Sequence, residues 1–138
     1  MSAEDVELLR RGYHAFNEGG VDAVIEWLAP DIEVKERKSL PDRATYHGIA
    51  EVAGLFASNM EAFDELRFEP EEFIELDHQT VVVLRQRARG RGSGAEVEGI
   101  IAHLWTLEDG VPVQLRIFGD REQALEAAHE TLRESERS

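Results

Sequence analysis

The stretch from Tyr13 to Glu36, YHAFNEGGVDAVIEWLAPDIEVKE, constrains the fold more than any other part of the chain. Its first part ends an amphipathic helix, since apolar residues recur there at spacings of three and four, and Gly19-Gly20 then stops that helix. A second short helix is predicted from about Val21 to Leu28, before a proline. The strand predicted at Asp31 to Glu36 alternates polar and apolar residues, and its last residue falls on the apolar side.

The rest of the chain continues with one helix, a run of strands and a final helix. A helix is predicted from about Ile49 to Phe63. The predicted strands span Leu66–Asp77, Thr80–Arg89, Glu96–Leu107 and Val111–Phe118, and Asp120 is predicted to cap the last helix. Pro70 predicts a bulge or an edge position within the first of these strands. Because helices come first and antiparallel strands later, the fold class is α+β, with helices on a curved sheet.

The length of 138 residues supports one domain, spanning 1–138 with a core from about residue 3 to residue 129. Cysteine is absent, which excludes disulfides and thiolate metal sites. The N-terminal residues carry no apolar run of the secretory kind, so a cytoplasmic location is expected. The longest purely apolar run, Val81–Leu84, is far too short for a membrane span.

The formal net charge of −14 makes nucleic acid an improbable partner, because an acidic surface repels phosphate. A local exception is the run of Arg85, Arg87 and Arg89, whose period of two puts them on one face of a strand. We expect this face to be solvated or to form a subunit contact with acidic neighbours. The alternative is a local patch that binds anions or RNA.

Three segments resemble one known superfamily: GYHAFNEGGVDAVIEWLAPDIEV, TYHGIAEV and HLWTLEDGVPVQLRIFGD. They resemble the SnoaL-like polyketide cyclases and ketosteroid isomerases, which share the nuclear-transport-factor-2-like cone fold. The resemblance implies a cone-shaped α+β barrel. In it, three N-terminal helices pack on a curved, mostly antiparallel sheet, and a short C-terminal helix follows. It also implies a homodimer formed through the sheet face, and an activity that needs no cofactor.

The resemblance carries functional positions over only in part. Steroid isomerases keep a carboxylate base at the end of strand one, and counting from Asn17 puts that position at Glu36. Their tyrosine donor in helix one corresponds to Gly12, and their late-strand aspartate corresponds to His103. The resemblance therefore implies a base but no tyrosine donor, which argues against steroid isomerisation. The Arg-x-Asp of limonene-epoxide-hydrolase-like members is also missing from IIAHLW.

Glu36 and His103 are the predicted catalytic residues. A carboxylate on an apolar strand face must be desolvated, paired or at a pocket mouth, and burial raises its pKa towards that of a general base. Alternatively, Glu36 lies in solvent beside Arg37 and Lys38. His103 belongs to a strand that is apolar on both faces, where a neutral imidazole can donate to an oxyanion or shuttle a proton. Alternatively, it is a core histidine bonded to a neighbour.

The ligand-binding residues are predicted to be Tyr13, Tyr46 and Trp105. Tyr13 lies on the inward stripe of helix one, where a core role is the alternative. Tyr46 lies in the loop before helix three and either borders the pocket or stays exposed. Trp105 shares a strand face with His103. No histidine or carboxylate pair has metal-ligand spacing with a third ligand in view, so no metal is predicted.

The turn after Leu107 decides which residues accompany His103. A two-residue Asp109-Gly110 turn would put Arg116 on its face, which would favour anionic ligands. A three-residue loop with a glycine bulge would put Leu115 and Ile117 there, which would favour apolar ones. We favour the three-residue loop, because it gathers apolar residues on one face.

Three functions fit these patterns. The first is a small cofactor-free enzyme that moves a proton on an apolar carbonyl compound, with isomerisation, cyclisation or elimination as the outcome. The second is a binding module with the same pocket and no chemistry. The third is an interaction protein that dimerises through its sheet. The sequence names no substrate.

Overall fold

The computed structural model describes residues 2–36 and 45–137. Three α-helices and six strands follow one another along the chain. They are α1 (Ser2–Gly19), β1 (Glu33–Lys35), β2 (Thr45–His47), α2 (Gly48–Glu61), β3 (Phe63–Leu76), β4 (Gln79–Gly90), β5 (Glu96–Glu108), β6 (Val111–Phe118) and α3 (Arg121–Arg137).

The segment between α1 and β1 departs from the predicted second α-helix. It forms two 3₁₀ turns, Val21–Ala23 and Ile25–Trp27. Gly20, at a φ of 74°, ends α1 in a backbone conformation that glycine adopts cheaply. The nine residues between Gly20 and Pro30 are too few for a stable α-helix of their own, so tertiary contacts decide the local geometry.

The six strands form one sheet in the order β2-β1-β6-β5-β4-β3. Only β1 and β6 run parallel, and the other neighbours are antiparallel. This confirms the predicted α+β class and the mostly antiparallel sheet. Strand β2 lies where the sequence predicts a loop; it is only three residues long, which gives alternation no length in which to appear.

Three register shifts bend the long strands, the first of them between Phe63 and Glu65 of β3. The register of β3 against β4 shifts between Pro70 and Glu72, which confirms the bulge predicted at the proline. The register of β5 against β6 shifts between Thr106 and Leu107. Bulges of this kind increase the local twist, so they help to curl the sheet around the helices.

The predicted three-residue loop between β5 and β6 is wrong. Glu108 pairs with Val111, and Asp109 and Gly110 form a two-residue turn with φ values of 53° and 77°. Positive φ at both positions is what a type I′ hairpin requires. The bulge that the loop was expected to contain lies one step further along the ladder. Its effect on the register is the predicted one, because Leu115 pairs with Trp105 and Ile117 pairs with His103.

The two faces of the sheet carry different helices. The face of α1 presents Leu9 and Tyr13, which pack with Val82 and Leu84 of β4. Alternate residues of the same strand, Val81 among them, point the other way and pack against α3. That helix is not short as predicted, since it has 17 residues, and Ala124, Ala127 and Ala128 form its contact with the sheet. An apolar part of the outer face is therefore covered within the chain.

Helix α3 is closed at its start as the sequence predicts. The backbone N–H of Gln123 donates to the Asp120 carboxylate at 2.8 Å, which is an N-cap bond. In the described part of the chain, no helix is both long and apolar enough to cross a membrane.

Candidate functional site

A cavity of about 140 Å³ lies between α1, α2, the 3₁₀ turns and the inner face of the sheet, and it is partly open to solvent. Apolar side chains dominate its lining. The aromatic members of that lining are Tyr13, Phe16, Trp27, Phe56, Phe68 and Trp105. Concave, mostly apolar cavities with few polar groups are the usual form of small-molecule sites.

Helix α1 contributes one wall because its apolar residues recur at helical spacing. Leu9, Tyr13 and Phe16 line the cavity from successive turns. Strand β5 contributes the opposite wall, where alternation brings His103 and Trp105 to the inner face. The two walls meet at a cluster of three polar aromatic side chains.

This cluster is a short chain of hydrogen bonds. The Tyr13 hydroxyl lies 2.7 Å from His103 Nδ1, and the indole Nε1–H of Trp105 donates to the Tyr13 oxygen, also at 2.7 Å. The rings of Tyr13 and His103 are stacked with centroids 5.8 Å apart, and Trp105 packs edge-on against both. Each of these three polar groups thus has a partner within the cluster, although the residues come from α1 and β5.

Burial sets the protonation of this cluster. Tyr13 and His103 are each 6% exposed. Desolvation lowers the pKa of His103 from 6.5 to about 3, so its imidazole is neutral at physiological pH. Burial also raises the pKa of Tyr13, with the Trp105 hydrogen bond acting in the opposite direction, so the phenol keeps its proton.

The other ring nitrogen of His103 has a different environment. Among residues 2–36 and 45–137, Nδ1 is the only His103 ring atom with a hydrogen-bond partner. Nε2 has no such partner, and it is not fully enclosed by protein atoms. The ring itself lines the cavity. Nε2 is therefore the histidine atom that a bound molecule can reach.

Glu36 and Tyr46 form a separate pair. The Tyr46 hydroxyl donates to the Glu36 carboxylate at 3.2 Å, and both side chains are half-buried. Neither residue is among those that line the cavity. Desolvation raises the pKa of Tyr46, and the hydrogen bond to the Glu36 carboxylate raises it further. The structure therefore brings three of the five predicted site residues together at the cavity. The other two, Glu36 and Tyr46, contact each other outside its lining.

Glu36 nevertheless lies in the same row of the sheet as His103. His103 pairs with Ile117, and the parallel ladder pairs Lys35 with Arg116. Extending that ladder by one residue aligns Glu36 with Ile117. Since neighbouring strands are about 4.8 Å apart, the backbones of Glu36 and His103 are about 10 Å apart across the inner face.

Gly12 and Tyr13 both reach the cavity. The sequence comparison makes Gly12 the counterpart of a tyrosine donor, and the helical turn between neighbouring residues suggests that Tyr13 cannot replace it. The bare face of Gly12 packs near Trp27, whose Cε3 would lie 3.5 Å from an added Cβ. Tyr13 enters beside it, and its hydroxyl is bound to His103 and Trp105.

Asn17 is a positioning residue that sequence reasoning missed. Its side chain donates to the carbonyl of Phe68 at 2.8 Å and accepts from the N–H of Phe68 at 2.9 Å. This two-point bond fixes the end of α1 against β3 and places the Phe68 ring beside His103, with centroids 5.6 Å apart. An asparagine near the end of a helix usually indicates a local cap, so the sequence around Asn17 gives no sign of its contact with Phe68.

The arginine face is paired with acidic residues of the same chain. Arg85 contacts Glu71 and Glu98, each at 2.8 Å, and these partners raise the pKa of its guanidinium. Arg87 pairs with Glu69 at 2.9 Å and also with Glu98. These charges neutralise one another across β3, β4 and β5. Within the described ranges, no three histidine or carboxylate side chains converge as a metal site would require.

The fold agrees with the comparisons with known proteins. The chain belongs to the SnoaL-like domain family, whose model matches residues 9–114. No curated protein matches it.

Three solved structures share the fold. An NTF2-like protein of unknown function from Burkholderia pseudomallei is 25% identical, with a TM-score of 0.73 over 89% of this chain and 95% of that one. TerC, co-crystallised with polyporic acid, is 20% identical, with a TM-score of 0.74 over 91% and 98%. SalBIII, an epoxide hydrolase/cyclase-like enzyme with a role in pyran ring formation in salinomycin, is 20% identical, with a TM-score of 0.73 over 88% and 94%.

Proposed function

We propose that this SnoaL-like protein binds a small apolar carbonyl compound and moves a proton on it without a cofactor, as an isomerase, cyclase or dehydratase would. The single observation that supports this most is that His103 lines an otherwise apolar cavity, while its Nε2 has no hydrogen-bond partner within residues 2–36 and 45–137. A ligand whose hydrocarbon part filled the cavity and whose oxygen contacted this nitrogen would match both the apolar walls and the one polar group.

The neutral state of His103 suits it to the oxygen end of such a reaction. Removing a proton next to a carbonyl puts negative charge on the oxygen, and a neutral imidazole N–H can donate to it in a site of low dielectric. Neutral histidine electrophiles are known from other folds. His103 would be the catalytic residue at this position, and no solvent would need to reorganise when the charge forms.

Glu36 is the candidate for the base in this proposal. It lies in the row of His103, about 10 Å away at the backbone, a distance that side chains from both ends can span with a small molecule between them. To act as a base, Glu36 would have to exchange its contact with Tyr46 for one with the ligand. Tyr46 would then control when the base is free to contact the ligand, which is a narrower role than the ligand binding predicted from the sequence.

Proton transfer can be tested before the natural substrate is known. Simple cyclic ketones are incubated with the protein in D₂O, and deuterium incorporation at the carbon next to the carbonyl is followed by NMR. The proposal expects incorporation above the buffer rate, a large loss in Glu36→Gln, and a loss in His103→Phe. Tyr46→Phe is the matched control, because it removes the partner of Glu36 and leaves the base in place.

A binding module without chemistry is the second candidate. The two predicted catalytic residues are not in contact, and the hydroxyl of Tyr13 is already bound within the protein. Ketone binding with no deuterium incorporation in any ketone tried would favour this candidate. Native mass spectrometry of the purified protein would then identify a co-purified ligand by its mass.

Homodimerisation stays a prediction. Helix α3 covers an apolar part of the outer face, and the ion-paired arginine face, together with Ile100, would have to supply the contact. Ile100 pairs with Arg85 in the sheet and is 39% exposed. Light scattering would give the mass directly, and a charged substitution at Ile100 should weaken a dimer that uses this surface.

A further inference from the structure

We propose that Tyr13 and Trp105 are positioning residues that hold His103 in the tautomer with its proton on Nε2, so that the site selects ligands by an acceptor oxygen. The inference rests on the proposed function for the existence of a ligand. It goes further by fixing which way the hydrogen bonds of the cluster run. It also decides between two roles that the sequence leaves open for His103, oxygen donor and proton acceptor.

The direction of the chain begins at Trp105. An indole nitrogen is a donor only, so the contact of 2.7 Å between Trp105 Nε1 and the Tyr13 oxygen has one possible polarity. The Tyr13 oxygen therefore accepts from Trp105. Its own hydrogen still needs an acceptor, because the hydroxyl is buried.

His103 Nδ1 is that acceptor. It lies 2.7 Å from the Tyr13 oxygen, and no other acceptor contacts this hydroxyl within residues 2–36 and 45–137. If Nδ1 carried the proton, the Tyr13 oxygen would accept twice and its own hydrogen would be left unpaired. An unpaired buried donor is costly, so the hydrogen bonds run from Trp105 through Tyr13 to Nδ1.

A neutral imidazole carries one N–H, which must then be on Nε2. Burial keeps the ring neutral, since it lowers the pKa of His103 to about 3. A protonated ring would place a second donor on Nδ1, facing the donor of Tyr13. The geometry of the cluster and the desolvation of the ring therefore favour the same state.

The rest of the cavity lining complements this donor. Among the described residues that line it, the other nitrogen-bearing side chains are those of Trp27 and Trp105, and both indoles are donors only. None of these described lining residues has a carboxylate or amide side chain. A ligand oxygen with lone pairs matches these walls, whereas a ligand with donors alone would find only the remaining lone pair of Tyr13 and the weakly accepting thioether of Met60.

The same assignment limits the chemistry of His103. Because Nε2 already carries its proton, it cannot remove one from a ligand, and Nδ1 is occupied by Tyr13. His103 stabilises negative charge on the ligand oxygen, and the proton that leaves carbon goes to another group, for which Glu36 is the candidate. No proton is gained or lost by the imidazole in this step.

The first test reads the tautomer directly. Nitrogen-15 NMR of the imidazole distinguishes a protonated Nε2 from a protonated Nδ1 through their different chemical shifts and couplings. We expect wild-type protein to give the Nε2–H pattern, unchanged between pH 8 and pH 5. A wild-type Nδ1–H pattern would overturn the inference without any variant having to fold.

Two variants then test the positioning roles. Trp105→Phe frees the Tyr13 oxygen to accept from Nδ1, and Tyr13→Phe removes the bond to Nδ1 altogether. We expect the Nδ1–H form to gain population in Trp105→Phe. A tautomer ratio that stays at the wild-type value in both variants would show that neither residue holds the proton.

The second test measures selectivity with two probes of one shape, cyclohexanone and methylenecyclohexane. Both suit the cavity in size, since an apolar cavity of about 150 Å³ is known to hold benzene. One net hydrogen bond predicts that wild-type protein binds the ketone about fivefold more tightly. Trp105→Phe should reduce this preference, read as the ratio of the two affinities, because the accompanying change in cavity size acts on both probes alike.

The outcomes separate the two levels of inference. Binding of neither probe would overturn the proposed function. Equal binding of both probes by wild-type protein would leave a ligand cavity in place and overturn the selection by an acceptor oxygen. Tighter ketone binding with an Nε2–H imidazole supports both.

Discussion

The two faces of the central sheet treat their polar residues in opposite ways. On the inner face, Tyr13, His103 and Trp105 are linked in a short chain of hydrogen bonds within an apolar cavity. On the outer face, Arg85 and Arg87 pair with glutamates that remain in contact with solvent. The inner polar groups are few and depend on one another, whereas the outer ones are many and replaceable by water. Because side chains alternate along a strand, the same strands supply both the enclosed site on one face and the charged surface on the other.

The largest expected effect is a pH dependence that arises on the inner face. The pKa of His103 is lowered from 6.5 to about 3 in the folded state by burial, so the unfolded chain binds the extra proton between these values. Stability from this group is complete above about pH 6.5 and falls as the pH decreases towards 3, by up to about 1.4 kcal/mol per pH unit. Between pH 7 and pH 4 the loss is about 3 kcal/mol.

Denaturant unfolding of wild-type protein and His103→Gln over this pH range would measure that loss. Carboxylates titrate in both proteins, so the difference between the two curves isolates the histidine. The titratable side chain that contacts His103 among the described residues is Tyr13, which stays protonated throughout. Parallel curves would contradict burial of a neutral His103 and would remove the contrast between the faces.

Replacing tyrosine by phenylalanine removes one hydroxyl inside the cavity at Tyr13, or one outside its lining at Tyr46. Tyr13→Phe leaves both His103 Nδ1 and the Trp105 N–H without a partner, and we expect a loss of about 2–3 kcal/mol in the free energy of unfolding. Tyr46→Phe removes a bond to Glu36, whose carboxylate keeps access to water. Its effect should be much smaller, and equal losses in the two variants would argue against a closed inner chain.

Asn17→Ala should have an intermediate effect. The substitution leaves both backbone groups of Phe68 without their partners at a partly buried position, at a cost of about 1–2 kcal/mol. Loss of this contact should also loosen Phe68 beside His103 and weaken ketone binding. His14→Ala, an exposed change on the same helix, is the control; a comparable loss there would mean that only helix propensity was measured.

Arg87→Ala should have the smallest effect. Its side chain is 54% exposed, and exposed ion pairs contribute less than about 1 kcal/mol. Any loss should diminish at high salt, which screens solvent-exposed charges. A double-mutant cycle with Glu69→Ala would give the pair energy, and a large coupling that salt does not change would mean that the outer face is as interdependent as the inner one.

Local chemistry made much of the fold predictable. The glycine after α1, the bulge at Pro70, the bounds of β6 and the Asp120 cap each follow from residues with strong backbone preferences. The second helix forms as two 3₁₀ turns, because a short segment has little intrinsic helicity and takes its form from its neighbours. Strand β2 was missed because pairing with β1, not its own pattern, defines it.

The sequence predicted which side chains face inwards, from the periodicity of strands and helices, but not which of them contact one another. Alternation puts His103 and Trp105 on one face, and helical spacing turns Tyr13 inwards. Their mutual hydrogen bonds join positions 90 and 92 residues apart in the chain, so no local pattern contains them. The separation of Glu36 from the cavity lining has the same origin, because it depends on where a half-buried side chain finds its partner.

The stretch from Tyr13 to Glu36 determined by itself the order of its elements and the inward faces of Tyr13 and Glu36, because backbone preference and side-chain period are local properties. Tertiary structure alone decided that Tyr13 bonds to His103, that Asn17 holds Phe68, and that Glu36 pairs with Tyr46. Such contacts are fixed by the distance and direction between distant segments. Only the packing of the helices on the curved sheet sets those quantities.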